Sequence, residues 1–287
     1  IQVIDNPEPN TLAVAEHTMG LMLALARNIP RASQQLKSGT WDRSRLLGTG
    51  LAGKTLGIIG FGRIGRQVAL RAEAFGMKIL VNQNPMTPEM LLEEDLELVE
   101  LPELLRRSDF VTLHVSLRPE TENLISSAEL AQMRNSAYLI NTARGAVIDD
   151  NALLAALNGG QIAGAALDVF SGEPDVYEAL IKHPHVIATP HIAASTEDAQ
   201  EAAAVAIAEE LIEFFEQVDV ETVLPLRVVP MERVKPHEHI DPKRVNRLAG
   251  RLEQDGMLGN PPIVTEVGDG TYMVLDGATR TAAMNQL

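Results

Sequence analysis

The chain of 287 residues contains no cysteine. Disulfides and thiolate-bound metals are therefore excluded. No apolar run reaches the ~18 residues that a bilayer-spanning helix needs, and no signal peptide is visible. A soluble, cytoplasmic protein without a membrane partner is expected. Positive charge is short: 24 Lys+Arg stand against 39 Asp+Glu, a net −15. That balance argues against nonspecific nucleic-acid binding by the whole chain, because a polyanion would be repelled. An initiating Met is missing as well. The sequence begins at Ile1 and stops at Leu287 inside a helical pattern, so a piece of a longer chain is expected. Internal repeats and low-complexity tracts are absent.

The length suits one large domain or two ordinary ones. The charge divides unevenly. From Arg227 onward there are eight basic and eight acidic residues, so the whole deficit lies ahead of a boundary near residue 226. Residues 11–29, "TLAVAEHTMGLMLALARNI", have helical apolar spacing. After Thr55 short apolar runs alternate with helical stretches: "LGIIG", "KILV", "FVTLHV", "AYLIN", "AGAALDVF" and "HVIATP". This rhythm predicts βαβ units, a doubly wound parallel sheet of Rossmann type. A helix over about 196–217 follows, and 218–226 reads as a linker. The tail has another texture: a strand near 227–235, a helix from Asp241 to Gly256, and a hairpin turning at Gly268-Asp269-Gly270. This makes a second, smaller α+β domain over 227–287.

One stretch carries chemistry on its face. An apolar strand leads into Gly60, Gly62 and Gly65 in G-x-G-x-x-G spacing, with Arg63 and Ile64 opening a helix. Such a turn brings backbone amides and a helix N-terminus to a pyrophosphate. An acidic residue is expected about 20 residues on, to hold the ribose of NAD. The sequence has Gln83 there. A neutral amide still bonds ribose hydroxyls, and it removes the repulsion of a 2′-phosphate. No Lys or Arg between Val81 and Leu96 is available for that phosphate; Arg63 is the nearest in sequence. NAD is expected over NADP.

Five segments, "WDRSRLLGTGLAGKTLGIIGFGRIG", "DFVTLHVSLRPETENLI", "LINTARGAVIDDNALLAAL", "GAALDVFSGEP" and "ATPHIAAST", occur in an order and spacing that resembles the D-isomer-specific 2-hydroxyacid dehydrogenases. The resemblance covers roughly residues 3–217. It implies hydride transfer between a nicotinamide and a small 2-keto acid, 3-phosphoglycerate chemistry being one candidate. It implies Arg144 as the cation for the substrate carboxylate, a task suited to a planar fork. It implies His191 as the proton donor and Glu173 as the anion that holds the imidazole. Asp168, Thr142 and Ala143 would line the nicotinamide side, and His114 would face the adenosine. His17, His183 and His185 are expected to be structural. The family's usual substrate domain is missing here apart from residues 1–10, so the piece is expected to bind cofactor and turn over poorly alone. The family contact region implies a homodimer, with Leu21, Met22 and Leu25 of the long helix buried. A non-catalytic nucleotide sensor is the alternative class.

The tail resembles the N-terminal domain of the ParB and sulfiredoxin superfamily, with free-serine kinases nearest through "HE" and "DGATR". That resemblance implies a phosphate site at Asp276, Gly277 and Arg280, with Glu238 opposite. It further implies Mg²⁺ with a nucleotide. Ala278 and Thr279 stand where those kinases have His, and the missing cysteine rules out sulfiredoxin chemistry.

Overall fold

The computed structural model describes residues 10–83, 96–217, 234–235, 245, 263–268 and 271–276. The chain divides into two compact units, 1–217 and 218–287.

In the first unit, helices α1 (Asn10–Ala26) and α2 (Ile29–Lys37) precede a sheet. Its strands are β1 (Thr55–Ile59), β2 (Lys78–Asn82), β3 (Glu97–Leu98), β4 (Phe110–Leu113), β5 (Tyr138–Asn141), β6 (Gly164–Leu167) and β7 (Val186–Ala188). The intervening helices are α3 (Arg63–Ala74), α4 (Leu101–Arg107), α5 (Ser127–Leu130), α6 (Asp150–Asn158) and α7 (Glu178–Ile181), and α8 (Glu197–Gln217) closes the unit. The strand order is β3-β2-β1-β4-β5-β6-β7, and each pairing is parallel. Every residue of β4 and β6 is buried. A run of buried, mostly apolar residues marks a strand covered on both faces.

Successive strand residues point to opposite faces. Ile58 therefore joins a core with Met22 of α1 and Val68 of α3, while Ile59 joins one with Leu104, Leu153 and Leu180 on the other side. The chain winds outward from β1 to β3 and then returns to β4 on the far side of β1. That reversal opens a crevice beyond the carboxyl ends of the strands, where ligands bind in sheets of this type.

The long helix predicted over 11–29 breaks at Asn28, which has a left-handed φ of 53°, and α2 starts at Ile29. Leu21, Met22 and Leu25 are 5%, 0% and 7% exposed. They are covered by the chain's own strands and α3, so they need no partner to bury them. Leu21, Met22 and Leu25 are thus buried as expected, by a helix laid across a sheet within one subunit. The helix expected near 196–217 is α8, capped by Thr196, whose Oγ accepts the Ala199 N–H at 3.1 Å.

The second unit contains β8 (Val234–Lys235), β9 (Ile263–Gly268) and β10 (Thr271–Asp276) in the order β8-β10-β9. β9 and β10 are antiparallel and β8 runs parallel to β10. The hairpin expected around Gly268-Asp269-Gly270 corresponds to β9 and β10. Asp276 ends β10. Glu238, Gly277, Arg280 and, apart from Val245, the helix expected from Asp241 to Gly256 lie outside the described residues.

Candidate active site

The three glycines of the loop after β1 serve different ends. Gly60 has φ +94°, and a Cβ there would lie 2.7 Å from the His114 carbonyl. At Gly65 it would lie 2.3 Å from the Gly60 oxygen. These two are glycine because the fold admits nothing larger. Gly62 has an ordinary φ of −81°, and a Cβ there would meet nothing within 4 Å. Its bareness is not required by the protein's own packing. Gly62 is also the N-cap of α3, and no side chain caps that helix. Open space before first-turn N–H groups is what a pyrophosphate needs, so the residues fit a dinucleotide. Arg63 and Ile64 open the helix, exposed and half-buried.

Gln83 follows β2 beside the loop, as expected, but its amide oxygen is turned inward. Gln83 Oε1 accepts the Phe61 N–H at 2.6 Å. That bond braces the glycine loop. A cleft of about 640 Å³ opens here, lined by Gly60, Gln83, Val99 and Val115 together with Glu100 and Glu120. Among the described residues, its walls carry no lysine or arginine. His114 lies beneath the loop. Its Nε2 is 3.0 Å from Thr112 Oγ, and Nδ1 has no protein partner. Burial pushes the imidazole down to about 3, so it is neutral at physiological pH.

Arg144 follows β5. Asn141 shapes its turn: the Asn141 amide donates to the Arg144 carbonyl at 2.9 Å and accepts the Ala143 N–H at 3.0 Å. Gly145 seals the turn, since a Cβ there would lie 1.9 Å from the Phe170 carbonyl carbon. The Arg144 guanidinium is exposed and donates to the Ala143 carbonyl at 2.7 Å. Among the described residues no hydrogen bond joins it to His191 or Glu173, which do pair with each other.

His191 Nδ1 is 2.7 Å from Glu173 Oε2. The other oxygen of Glu173 accepts the Phe170 N–H at 2.7 Å. The carboxylate is thus fixed by the chain that follows β6, and it fixes the ring in turn. With Nδ1 committed, Nε2 is left as the working nitrogen. His191 itself has φ +54°, an uncommon conformation for a non-glycine residue. The turn is maintained by Asp168. His191 N–H donates to the Asp168 carbonyl at 2.8 Å, and the side-chain carboxylate accepts the N–H groups of Ile192 (3.0 Å) and Ala193 (2.8 Å) and the Thr189 hydroxyl (2.5 Å).

The resemblance places Asp168 on the nicotinamide side of a cofactor. Its side chain is wholly buried and engaged by the chain's own donors. It holds the 189–193 turn, because its two oxygens accept from the Thr189 hydroxyl and from the Ile192 and Ala193 N–H groups. Burial pushes this carboxyl up; the donors His17, Thr189, Ile192 and Ala193 outweigh it and hold it below the usual range. A depressed carboxylate contributes stability above its unfolded value of ~4 and loses it as pH falls through the lower folded value. The turn is therefore fully held at neutral pH.

Sequence reasoning missed Glu100 in the cleft and set His17 aside as structural. His17 and Thr18 of α1 reach Thr189 and Thr142. The one available signal was a polar pair inside an otherwise apolar helix, "AEHTMGL".

The family described as "D-isomer specific 2-hydroxyacid dehydrogenase, NAD binding domain" matches residues 19–193. The D-3-phosphoglycerate dehydrogenase of Methanocaldococcus jannaschii is 44% identical over 273 residues, covering 94% of this chain and 49% of that protein. That alignment is longer than the first unit and so runs on into the second. The chain spans about half the length, or less, of the curated relatives it matches. A glyoxylate reductase from Paecilomyes thermophila superposes with a TM-score of 0.70 at 36% identity, over 74% of this chain and 64% of that one. The D-lactate dehydrogenase from Aquifex aeolicus, complexed with NAD and lactic acid, gives 0.68 at 33% identity, over 76% and 70%.

Proposed function

The chain belongs to the D-isomer specific 2-hydroxyacid dehydrogenase family, and on that premise we propose that it interconverts a small 2-hydroxy acid and its 2-keto acid with NAD. One observation carries the reading. The Glu173 carboxylate joins a backbone N–H to His191 Nδ1 at the carboxyl edge of the sheet that also bears the open glycine loop. NAD, when bound, supplies or accepts the hydride. Gly60, Gly62 and Gly65 with the start of α3 would hold its phosphates, and Thr142 and Ala143 would flank the nicotinamide. Arg144 binds the substrate carboxylate, its exposed guanidinium exchanging the Ala143 carbonyl for a charged acceptor. His191 Nε2 gives a proton to the carbonyl oxygen during reduction and takes it back during oxidation.

The names of the relatives favour 3-phosphoglycerate and phosphohydroxypyruvate as the pair. The decisive assay follows NADH oxidation with glyoxylate, hydroxypyruvate or phosphohydroxypyruvate. Binding of NADH with no oxidation by any of them would favour a nucleotide sensor.

NAD over NADP is supported by the carboxylates of the adenosine-side cleft, which repel a 2′-phosphate. Gln83→Asp is expected to raise the NADH-to-NADPH affinity ratio, because a carboxylate near the ribose accepts its hydroxyls and repels the phosphate. An unchanged ratio in fluorescence titrations would remove position 83 from the ribose.

A homodimer is proposed on other grounds than the α1 core. Leu36, Trp41 and Leu47 are 58%, 79% and 92% exposed in the segment after α1. A monomer by light scattering at micromolar concentration contradicts it. For the second unit, the reading of a ParB-type nucleotide site with Mg²⁺, and more boldly of serine phosphorylation, is supported by the D-G-A-T-R segment starting where β10 ends. Calorimetry with ADP, ATP or CTP and Mg²⁺ that shows no heat would reduce this unit to a structural module.

A further inference from the structure

Arg144 and His191 each stand two residues after a threonine, in Thr142-Ala143-Arg144 and Thr189-Pro190-His191. Both threonine hydroxyls are reached from the same helix by adjacent residues. Thr18 Oγ is 2.8 Å from Thr142 Oγ, and His17 Nε2 is 3.2 Å from Thr189 Oγ. The direction of each bond follows from counting protons, since a hydroxyl has only one. Thr18 gives its proton to the Val14 carbonyl at 2.8 Å, so Thr142 must donate to Thr18. Thr189 gives its proton to Asp168 Oδ1 at 2.5 Å, so it must accept from His17 Nε2–H. That same nitrogen lies 3.4 Å from Asp168 Oδ1.

Neither contact is incidental. Thr18 is wholly buried and Thr142 nearly so. Two hydroxyls meeting at 2.8 Å in an apolar core need each other, because an unpaired one costs desolvation. The aliphatic side chains of α1 pack without preferred direction, whereas the hydrogen bonds of His17 and Thr18 fix both distance and angle.

We propose that His17 and Thr18 form a paired clamp that sets the placement of Arg144 relative to His191, making α1 the common gauge for two reacting groups carried on separate strands. The two turns leave β5 and β7, with β6 between them, and sheet pairing alone does not fix the path of a loop beyond a strand end. Tying both loops to adjacent residues of one rigid helix does. His17 and Thr18 are thus positioning residues, and this role rests on the reading of Arg144 and His191 as the reacting pair.

The test uses three variants of the protein: His17→Leu, His17→Gln and Thr18→Val. Glutamine places an N–H close to the position of the histidine Nε2, and leucine places none. Amide hydrogen exchange is expected to rise at Ile192 and Ala193 in the His17→Leu variant and at Ala143 in the Thr18→Val variant, with the strands unaffected. The His17→Gln variant should behave as wild type. In keto-acid reduction, His17→Leu and Thr18→Val should each lower kcat about 10-fold or more while NADH affinity stays within about twofold. Leucine and glutamine giving equal rates and equal exchange would overturn the clamp, as would exchange that rises uniformly over the whole sheet. Exchange does not depend on turnover. Loss of turnover by every form, wild type included, therefore counts against the functional reading, and unchanged exchange at Ile192, Ala193 and Ala143 counts against the clamp.

Discussion

Gly62→Val is expected to weaken NADH binding by roughly 10- to 100-fold or more while leaving the melting temperature unaltered. The steric cost arises only when a phosphate approaches, and an overpacked contact of ~1–3 kcal/mol converts to that loss of affinity. In the protein alone a side chain at this position meets nothing within 4 Å, and the φ of −81° suits any residue. Gly65→Val provides the contrast. Its Cβ would lie 2.3 Å from the Gly60 carbonyl oxygen, so it should destabilise the fold by ~1–3 kcal/mol whether or not cofactor is present. Fluorescence titration with NADH and thermal melts of both variants separate the two roles. Equal NADH affinity in wild type and the Gly62→Val variant would show that nothing binds against this glycine.

Glu173→Gln is expected to lower turnover by about 10²–10⁴-fold without loss of NADH binding, in the range found for removing the anion behind a catalytic imidazole. A carboxylate has two acceptor oxygens, and both are used, by the Phe170 N–H and by His191 Nδ1. An amide of the same shape has one acceptor and one donor group. If its oxygen keeps the Phe170 N–H, its NH₂ faces His191 and demands that Nδ1 be an acceptor. The ring is then driven to the neutral form with its proton on Nε2. In that form it cannot take a proton from the hydroxy acid, and it is a poorer acid for the keto acid. If the amide turns the other way, it sets an N–H against the Phe170 N–H and loosens the loop. Oxidation should therefore suffer at least as much as reduction. Nitrogen-15 spectra of the histidine rings report the tautomer directly. Full activity in the variant, in either direction, would break the proposed pair.

The Rossmann-type half of the protein was legible because its signals are local. A strand of buried residues, a glycine turn and the start of a helix are each decided by neighbours a few positions away, so "LGIIGFGRIG" announces β1, its loop and α3 before anything else is known. His191 and Glu173 were readable as well. The resemblance of their motifs paired them, and the structure brings His191 Nδ1 to 2.7 Å from Glu173 Oε2.

What the sequence by itself determined is thus the order of strands and helices along the chain, the glycine turn between β1 and α3, and the cysteine-free chemistry. Tertiary structure decided where side chains with several possible partners would turn. The Gln83 amide oxygen meets the loop backbone at Phe61, because the crossing from β1 to β2 brings that N–H within 2.6 Å. Asp168 points inward to the 189–193 turn, because β6 and β7 are adjacent. The apolar face of α1 is covered within one chain, because the helix lies over β5 and β6. His17 and Thr18 find partners 172 and 124 residues away. No periodicity carries such information: hydrogen bonds between residues that distant exist only once the fold has brought the loops after β5 and β7 to α1.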